Sequence, residues 1–107
     1  MGINVNCTPV CDLLVENSHY ITGSRSFGPD PNITSYLANS MVDGLIAGGV
    51  QPVIKHMPGQ GRATHDSHIN LPTVNTDLNI LEHSDFSVFK NIKNARWTMT
   101  AHINTNH

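Results

Sequence analysis

The sequence predicts an α/β fold with parallel strands, and two observations carry that prediction. Strand-like segments at 2–10, 50–56 and 97–103 alternate with helical stretches at 31–47 and 74–94. Ionisable residues gather at the C-terminal ends of the strands, where α/β folds place their sites: Asp12 and Arg25, then Lys55 and His56, then His102. At 107 residues the chain has room for one small domain.

Residues 2–10 alternate apolar and polar, with Ile3, Val5 and Cys7 on one strand face and Pro9 near its end. Residues 11–30 lack periodicity and read as a loop holding Arg25-Ser26-Phe27-Gly28. Asp30 supplies a cap and Pro31 suits the first helical turn, so a helix runs over 31–47. Its stripe Ile33, Leu37, Met41 and Leu45, with Val42 and Ile46 beside it, is expected to be core, and Gly48 and Gly49 stop it. The apolar run Val50–Ile54 forms a strand whose far end carries Lys55 and His56. Residues 57–72 form a long loop with Gly and Pro, a length that is usually functional when the composition is not low-complexity. Two helical pieces follow, Asn75 to Leu81 and Asp85 to Ile92, then the strand Trp97–Ile103.

Composition narrows the function classes. Charged residues make up 13%, below the roughly 25% of typical soluble domains. The net charge of −2, with only six scattered Lys and Arg, argues against a nucleic-acid binder or a cationic membrane-surface protein. No apolar run approaches the roughly 20 residues that span a bilayer. No basic stretch and apolar signal core follow Met1, so a cytoplasmic location is expected. Cys7 and Cys11 are too few for a disulfide framework, and their C-x3-C spacing is not a usual zinc pair; two reduced, buried thiols are expected.

Seven histidines in this length are many, and His56, His65 and His68 fall close together. Asp66 and His68 stand two apart. In an extended segment both side chains point to one side, so the carboxylate can fix the imidazole tautomer and raise the basicity of the other ring nitrogen. Such a pair suits general acid/base work near neutral pH. Ser67 faces the other way, which disfavours a triad. Zinc is the competing reading, since His56, His65, Asp66 and His68 are acceptable ligand types, but the His-x-x-His spacing in a loop is not a recognised one. Gly59-Gln60-Gly61 lacks the rest of a phosphate-binding loop and reads as a tight turn near a ligand.

Several segments together resemble the N-terminal barrel domain of glycoside hydrolase family 3, and most closely its cytoplasmic β-N-acetylglucosaminidase branch, which takes part in peptidoglycan recycling. Gly2-Ile-Asn-Val-Asn-Cys-Thr-Pro-Val-Cys-Asp12 is similar to the family's strand ending in Ala-Pro-Val-x-Asp. Arg25-Ser-Phe-Gly-Pro-Asp-Pro31 resembles its Arg-Ser-Phe-Gly-x-Asp-Pro loop. Lys55-His-Met-Pro-Gly-Gln-Gly-Arg-Ala-Thr-His-Asp-Ser-His68 resembles the branch signature Lys-His-Phe-Pro-Gly-His-Gly-x4-Asp-Ser-His, and Met99-Thr-Ala-His-Ile103 resembles the next strand.

The resemblance implies a fragment of a (β/α)8 TIM barrel, with about three parallel strands and two helices. It implies that residues 1–107 form the middle of that catalytic domain, since a whole barrel takes about 250 residues. It further implies retaining hydrolysis of terminal β-linked N-acetylglucosamine, with no metal and no cofactor. His68 would be the acid/base and Asp66 its partner, whereas most glycosidases use two carboxylates. Lys55, His56 and Arg25 would bind hydroxyls of the N-acetylglucosamine ring of peptidoglycan fragments. The loop bearing His68 would close onto the glycosidic oxygen. Gln60 stands where the signature has His, a change expected to alter loop packing more than chemistry.

The implied nucleophile is an Asp in a Ser-Asp-Asp-Leu-like segment, and none occurs here; Asp77 and Asp85 match other family positions. A partial barrel leaves strand edges and helix faces uncovered. Three expectations follow: dependence on complementary barrel segments from another chain, a non-catalytic sugar-binding or relic fragment of a split gene, or an excerpt of a longer protein.

Overall fold

In the computed structural model of the chain, residues 2–15, 25–63, 71 and 73–105 are described. The elements are β1 (Val5–Asn6), α1 (Pro31–Ala47), β2 (Gln51–Met57), β3 (Thr73–Val74), α2 (Leu78–His83), α3 (Asp85–Lys90), β4 (Trp97–Thr100) and β5 (Asn104–Thr105). Strands β1, β2 and β4 form one sheet in that order, and both pairings are parallel. The expected parallel α/β alternation is therefore present. A second small pair, β3 with β5, is also parallel and was not anticipated.

Both ends of α1 have a local cause. The Asp30 carboxylate accepts from the backbone N–H of Asn32 (2.8 Å) and of Ile33 (3.3 Å), satisfying two donors that have no partner within the helix. At the other end Gly49 adopts φ +80°, a conformation that favours glycine, and its N–H donates to the Ile46 carbonyl. Asn39 ties α1 to the turn after α3: its Nδ2 donates to the Asn91 carbonyl (2.8 Å), and its Oδ1 accepts from the Lys93 N–H (3.0 Å).

The core comprises Cys11, Leu13, Ala38, Val42, Ile54, Val88 and Phe89. Its composition corrects the sequence reading of α1. The buried residues of that helix are Thr34, Ser35, Ala38 and Val42. Of the expected stripe, Ile33 is 54% exposed, and Leu37, Met41 and Ile46 are also exposed. Residues 34, 38 and 42 recur every four just as 33, 37 and 41 do. The helix turns its small side chains to the sheet because they allow close approach, and leaves the larger apolar ones outside.

The first segment is corrected too. Ordered strand pairing covers Val5–Asn6 rather than 2–10, and the buried stretch is Pro9–Leu13, so Ile3, Val5 and Cys7 are exposed. Cys11 is buried as expected; Cys7 is not, because it lies outside that stretch. Pairing with β2 resumes at Val10, which bridges Lys55 after a one-residue shift in register. Pro9 has no N–H to give, but its carbonyl accepts from Lys55 (3.3 Å), and the Cys11 N–H donates to the Lys55 carbonyl (2.7 Å). Strand β4 stops at Thr100 rather than at the expected Ile103, and all four of its residues are exposed. Among the described residues no helix is long and apolar enough to cross a membrane.

Candidate functional site

The C-terminal end of β2 holds the polar centre of the molecule. Strand β2 pairs with β4 through Val53–Trp97, Ile54–Thr98 and Lys55–Met99, then Met57 meets Thr100. His56 is the extra residue, a bulge at the strand end of the kind that re-aims a side chain. The peptide bond between Lys55 and His56 is cis, as are Thr8–Pro9 and Met57–Pro58.

Asp12 explains where the His56 ring goes. Its carboxylate is fully buried, and it accepts from the backbone N–H of His56 (3.2 Å) and of Gln60 (2.9 Å) through Oδ1. Its Oδ2 lies 2.7 Å from His56 Nδ1. The His56 side chain keeps 15% exposure. Three polar partners on one buried carboxylate satisfy it in a way that burial demands. The Asp12 backbone holds a second element: Ser26 Oγ donates to its carbonyl (2.7 Å), and the Leu14 N–H donates to the Gly28 carbonyl (2.9 Å). The loop Arg25–Gly28 is thereby tied to the same point of the fold as His56.

The turn after β2 packs closely beneath this cluster. Gly61 lies against the Leu13 backbone, and a Cβ there would overlap the Leu13 carbonyl oxygen. Gly59, at φ +124°, sits against the Asp85 side chain. Arg62 completes the turn: its Nε donates to Asp85 Oδ1 (2.7 Å), and its Nη2 donates to Ser84 Oγ (3.3 Å). Asp85 is buried, which is the structural role of that carboxylate. Beside Asp12, the Cys11 thiol is pushed up from 9.0 to about 12, first by burial and then by the Asp12 charge, so it stays protonated and unreactive at neutral pH.

Of the residues expected to bind sugar, Lys55 and His56 stand together at the end of β2, and Arg25 lies on the loop tied to Asp12. His68 and Asp66 lie outside the described residues, as does His65. The sequence reading missed Asp12 as the residue that organises the site. The available signal was its place at the end of the Pro-Val-x-Asp segment. Gln60 lies in the same cluster: its backbone N–H donates to Asp12, and its side-chain amide lies 3.0 Å from His56 Nδ1. Among the described residues no group of three His, Cys, Asp or Glu could hold a metal ion.

Comparison with known proteins supplies a family. The Glycosyl hydrolase family 3 N terminal domain matches residues 1–107. Beta-hexosaminidase A of Pseudoalteromonas piscicida is 35% identical over 106 residues, covering 96% of this chain and 18% of that protein. Among solved structures, a glycoside hydrolase family 3 beta-N-acetylglucosaminidase from Paenibacillus sp. str. FPU-7 superposes with a TM-score of 0.93 at 31% identity, over 97% of this chain and 20% of that one. Zn bound CbsA from Thermotoga neapolitana superposes with a TM-score of 0.88 at 40% identity, over 96% and 23%. The chain thus spans about a fifth of the length of these relatives.

Proposed function

The chain belongs to the glycosyl hydrolase family 3 N-terminal domain family, and from that premise we propose that it carries the sugar-binding and acid/base part of a retaining β-N-acetylhexosaminidase. The substrate is terminal β-linked N-acetylglucosamine on peptidoglycan fragments, and the place of action is the cytoplasm. The observation that carries this reading is the pairing of Lys55 and His56 at the C-terminal end of a parallel strand, with His56 held by the buried Asp12. Barrel enzymes build their sites at that end.

Lys55, His56 and Arg25 take the sugar hydroxyls. In the first step a carboxylate nucleophile forms a bond to the anomeric carbon while His68, as imidazolium, gives its proton to the departing glycosidic oxygen. In the second step neutral His68 takes a proton from water as the water oxygen bonds to the anomeric carbon and the carboxylate leaves. Asp66 orients His68 throughout. The nucleophile belongs to barrel segments outside these 107 residues, because no Ser-Asp-Asp-Leu-like segment occurs among them. That same observation favours a second reading, a fragment that binds sugar without turnover.

The test is to titrate N-acetylglucosamine into the purified chain, and to assay a chromogenic β-N-acetylglucosaminide with and without co-expressed complementary barrel segments. Binding that Lys55→Ala abolishes, with turnover that needs the other segments and is lost in His68→Ala, is the expected result. Binding without turnover in either case leaves the second reading. No binding by folded chain overturns both.

A further inference from the structure

We infer that Asp12 is a positioning residue that fixes His56 in the Nδ1–H tautomer, so that Nε2 meets a ligand as a hydrogen-bond acceptor. In its use of the ligand this rests on the sugar-binding reading above. Two groups contend for Nδ1: Asp12 Oδ2 at 2.7 Å and the Gln60 amide at 3.0 Å. If Nδ1 carried a lone pair and accepted from Gln60, that lone pair would face a carboxylate oxygen across the shorter distance. Two acceptors would then oppose each other without a proton between them. If Nδ1 carries the proton, it donates to the carboxylate in a charge-assisted bond, roughly twice as strong as a neutral one. The backbone N–H groups of His56 and Gln60 already point at Oδ1, so donors converge on this carboxylate from three directions.

The Gln60 amide follows from that choice. A half-turn about its last bond exchanges its oxygen and nitrogen without moving the rest of the side chain. The atom near Nδ1 is then the carbonyl oxygen, a second acceptor for the same N–H. Gln60 reinforces the tautomer but does not set it. The outcome for recognition is a complementary pair at consecutive positions. Lys55 has donors only, and neutral His56 Nε2 has only a lone pair. A sugar hydroxyl, which both donates and accepts, suits such a pair.

The experiment is a long-range 1H–15N spectrum of the labelled full chain, with the His56 ring assigned by its loss in His56→Gln. The expected spectrum has a proton on Nδ1 and a bare Nε2. In Asp12→Asn the new amide donates to Nδ1 and drives the proton to Nε2. N-acetylglucosamine binding then weakens by roughly tenfold, the equivalent of one hydrogen bond. An Nε2–H tautomer in the unaltered chain overturns the inference, and so does an unchanged tautomer in folded Asp12→Asn. Should that variant not fold, Gln60→Ala decides. Persistence of Nδ1–H supports Asp12 as the determinant, and its loss assigns the role to Gln60 and overturns the inference. The sugar reading fails separately: an Nδ1–H tautomer in a chain that binds no N-acetylglucosamine supports the tautomer and removes only the ligand.

Discussion

Asp12 and Asp85 are both fully buried carboxylates, and they hold the two ends of the turn after β2. Asp12 grips its start through two backbone N–H groups and the His56 ring. Asp85 grips its end through one guanidinium, that of Arg62, with Ser84 Oγ donating to the same oxygen (2.9 Å), while its Oδ2 has no hydrogen-bond partner among the described residues. Asp12 is thus held mostly by backbone N–H groups, which every residue type but proline supplies, and Asp85 by side chains that substitution removes. A backbone-anchored carboxylate tolerates change in its partners but not in itself. A side-chain-anchored one is vulnerable from both sides.

Replacing Asp12 should have the largest effect. Asp12→Ala leaves the backbone N–H groups of His56 and Gln60 without their acceptor, at about 1–3 kcal/mol for each buried donor, and leaves Nδ1 of His56 only the Gln60 amide. A loss on the order of 5 kcal/mol rivals the whole stability of a small domain. The expected outcome is no cooperative transition in urea melts followed by circular dichroism. A folded variant with a normal midpoint would show that the anchor is dispensable.

Arg62→Met comes next. It strands the Asp85 charge in the interior, and removing one partner of a buried pair costs about 3 kcal/mol or more. The pair should be read from the difference between the single variant and Arg62→Met with Asp85→Leu. Recovery of the urea midpoint in the double variant identifies the unpaired charge as the cause. No recovery would point instead to the packing of Arg62 itself.

The smallest effect is the alkaline one, and it reports on the burial of the Cys11 thiol beside Asp12. The Cys11 thiol is raised from 9.0 to about 12 by burial and by Asp12. Unfolded chains therefore lose this proton at lower pH than the folded protein. The thiol's contribution is fully present below pH 9.0 and is lost as pH rises toward about 12. Chemical melts should show a fall of about 1 kcal/mol between pH 9 and 10. Cys11→Val should flatten that slope. An equal slope in Cys11→Val would remove the thiol as its source.

The fold was legible where local chemistry decides it. Asp30 as cap, Pro31 at the helix start and the glycine stop are short-range signals, and α1 begins and ends where they stand. Strand β2 was legible because a run of buried residues cannot be anything but interior. The burial face of α1 was not legible, because periodicity reveals that a stripe exists and not which of two adjacent stripes meets the sheet. The site was half legible. Lys55, His56 and Arg25 carry a motif that can be recognised. Asp12 acts through atoms of His56 and Gln60 more than forty residues away, and such a contact has no signature in local sequence.

Every strand pair among the described residues is parallel, with partners such as Val5 and Gln51 or Val53 and Trp97 far apart in the chain. Among these strands no hairpin can form first and template the rest. Each rung of the sheet waits for the closure of a long loop and for α1 or the α2–α3 pair to pack across it. Chains with such distant contacts fold slowly. During that delay the exposed Trp97 and Met99 edge is open to pairing with other molecules. For this chain the time spent assembling, as much as the stability reached, governs how much of it arrives folded.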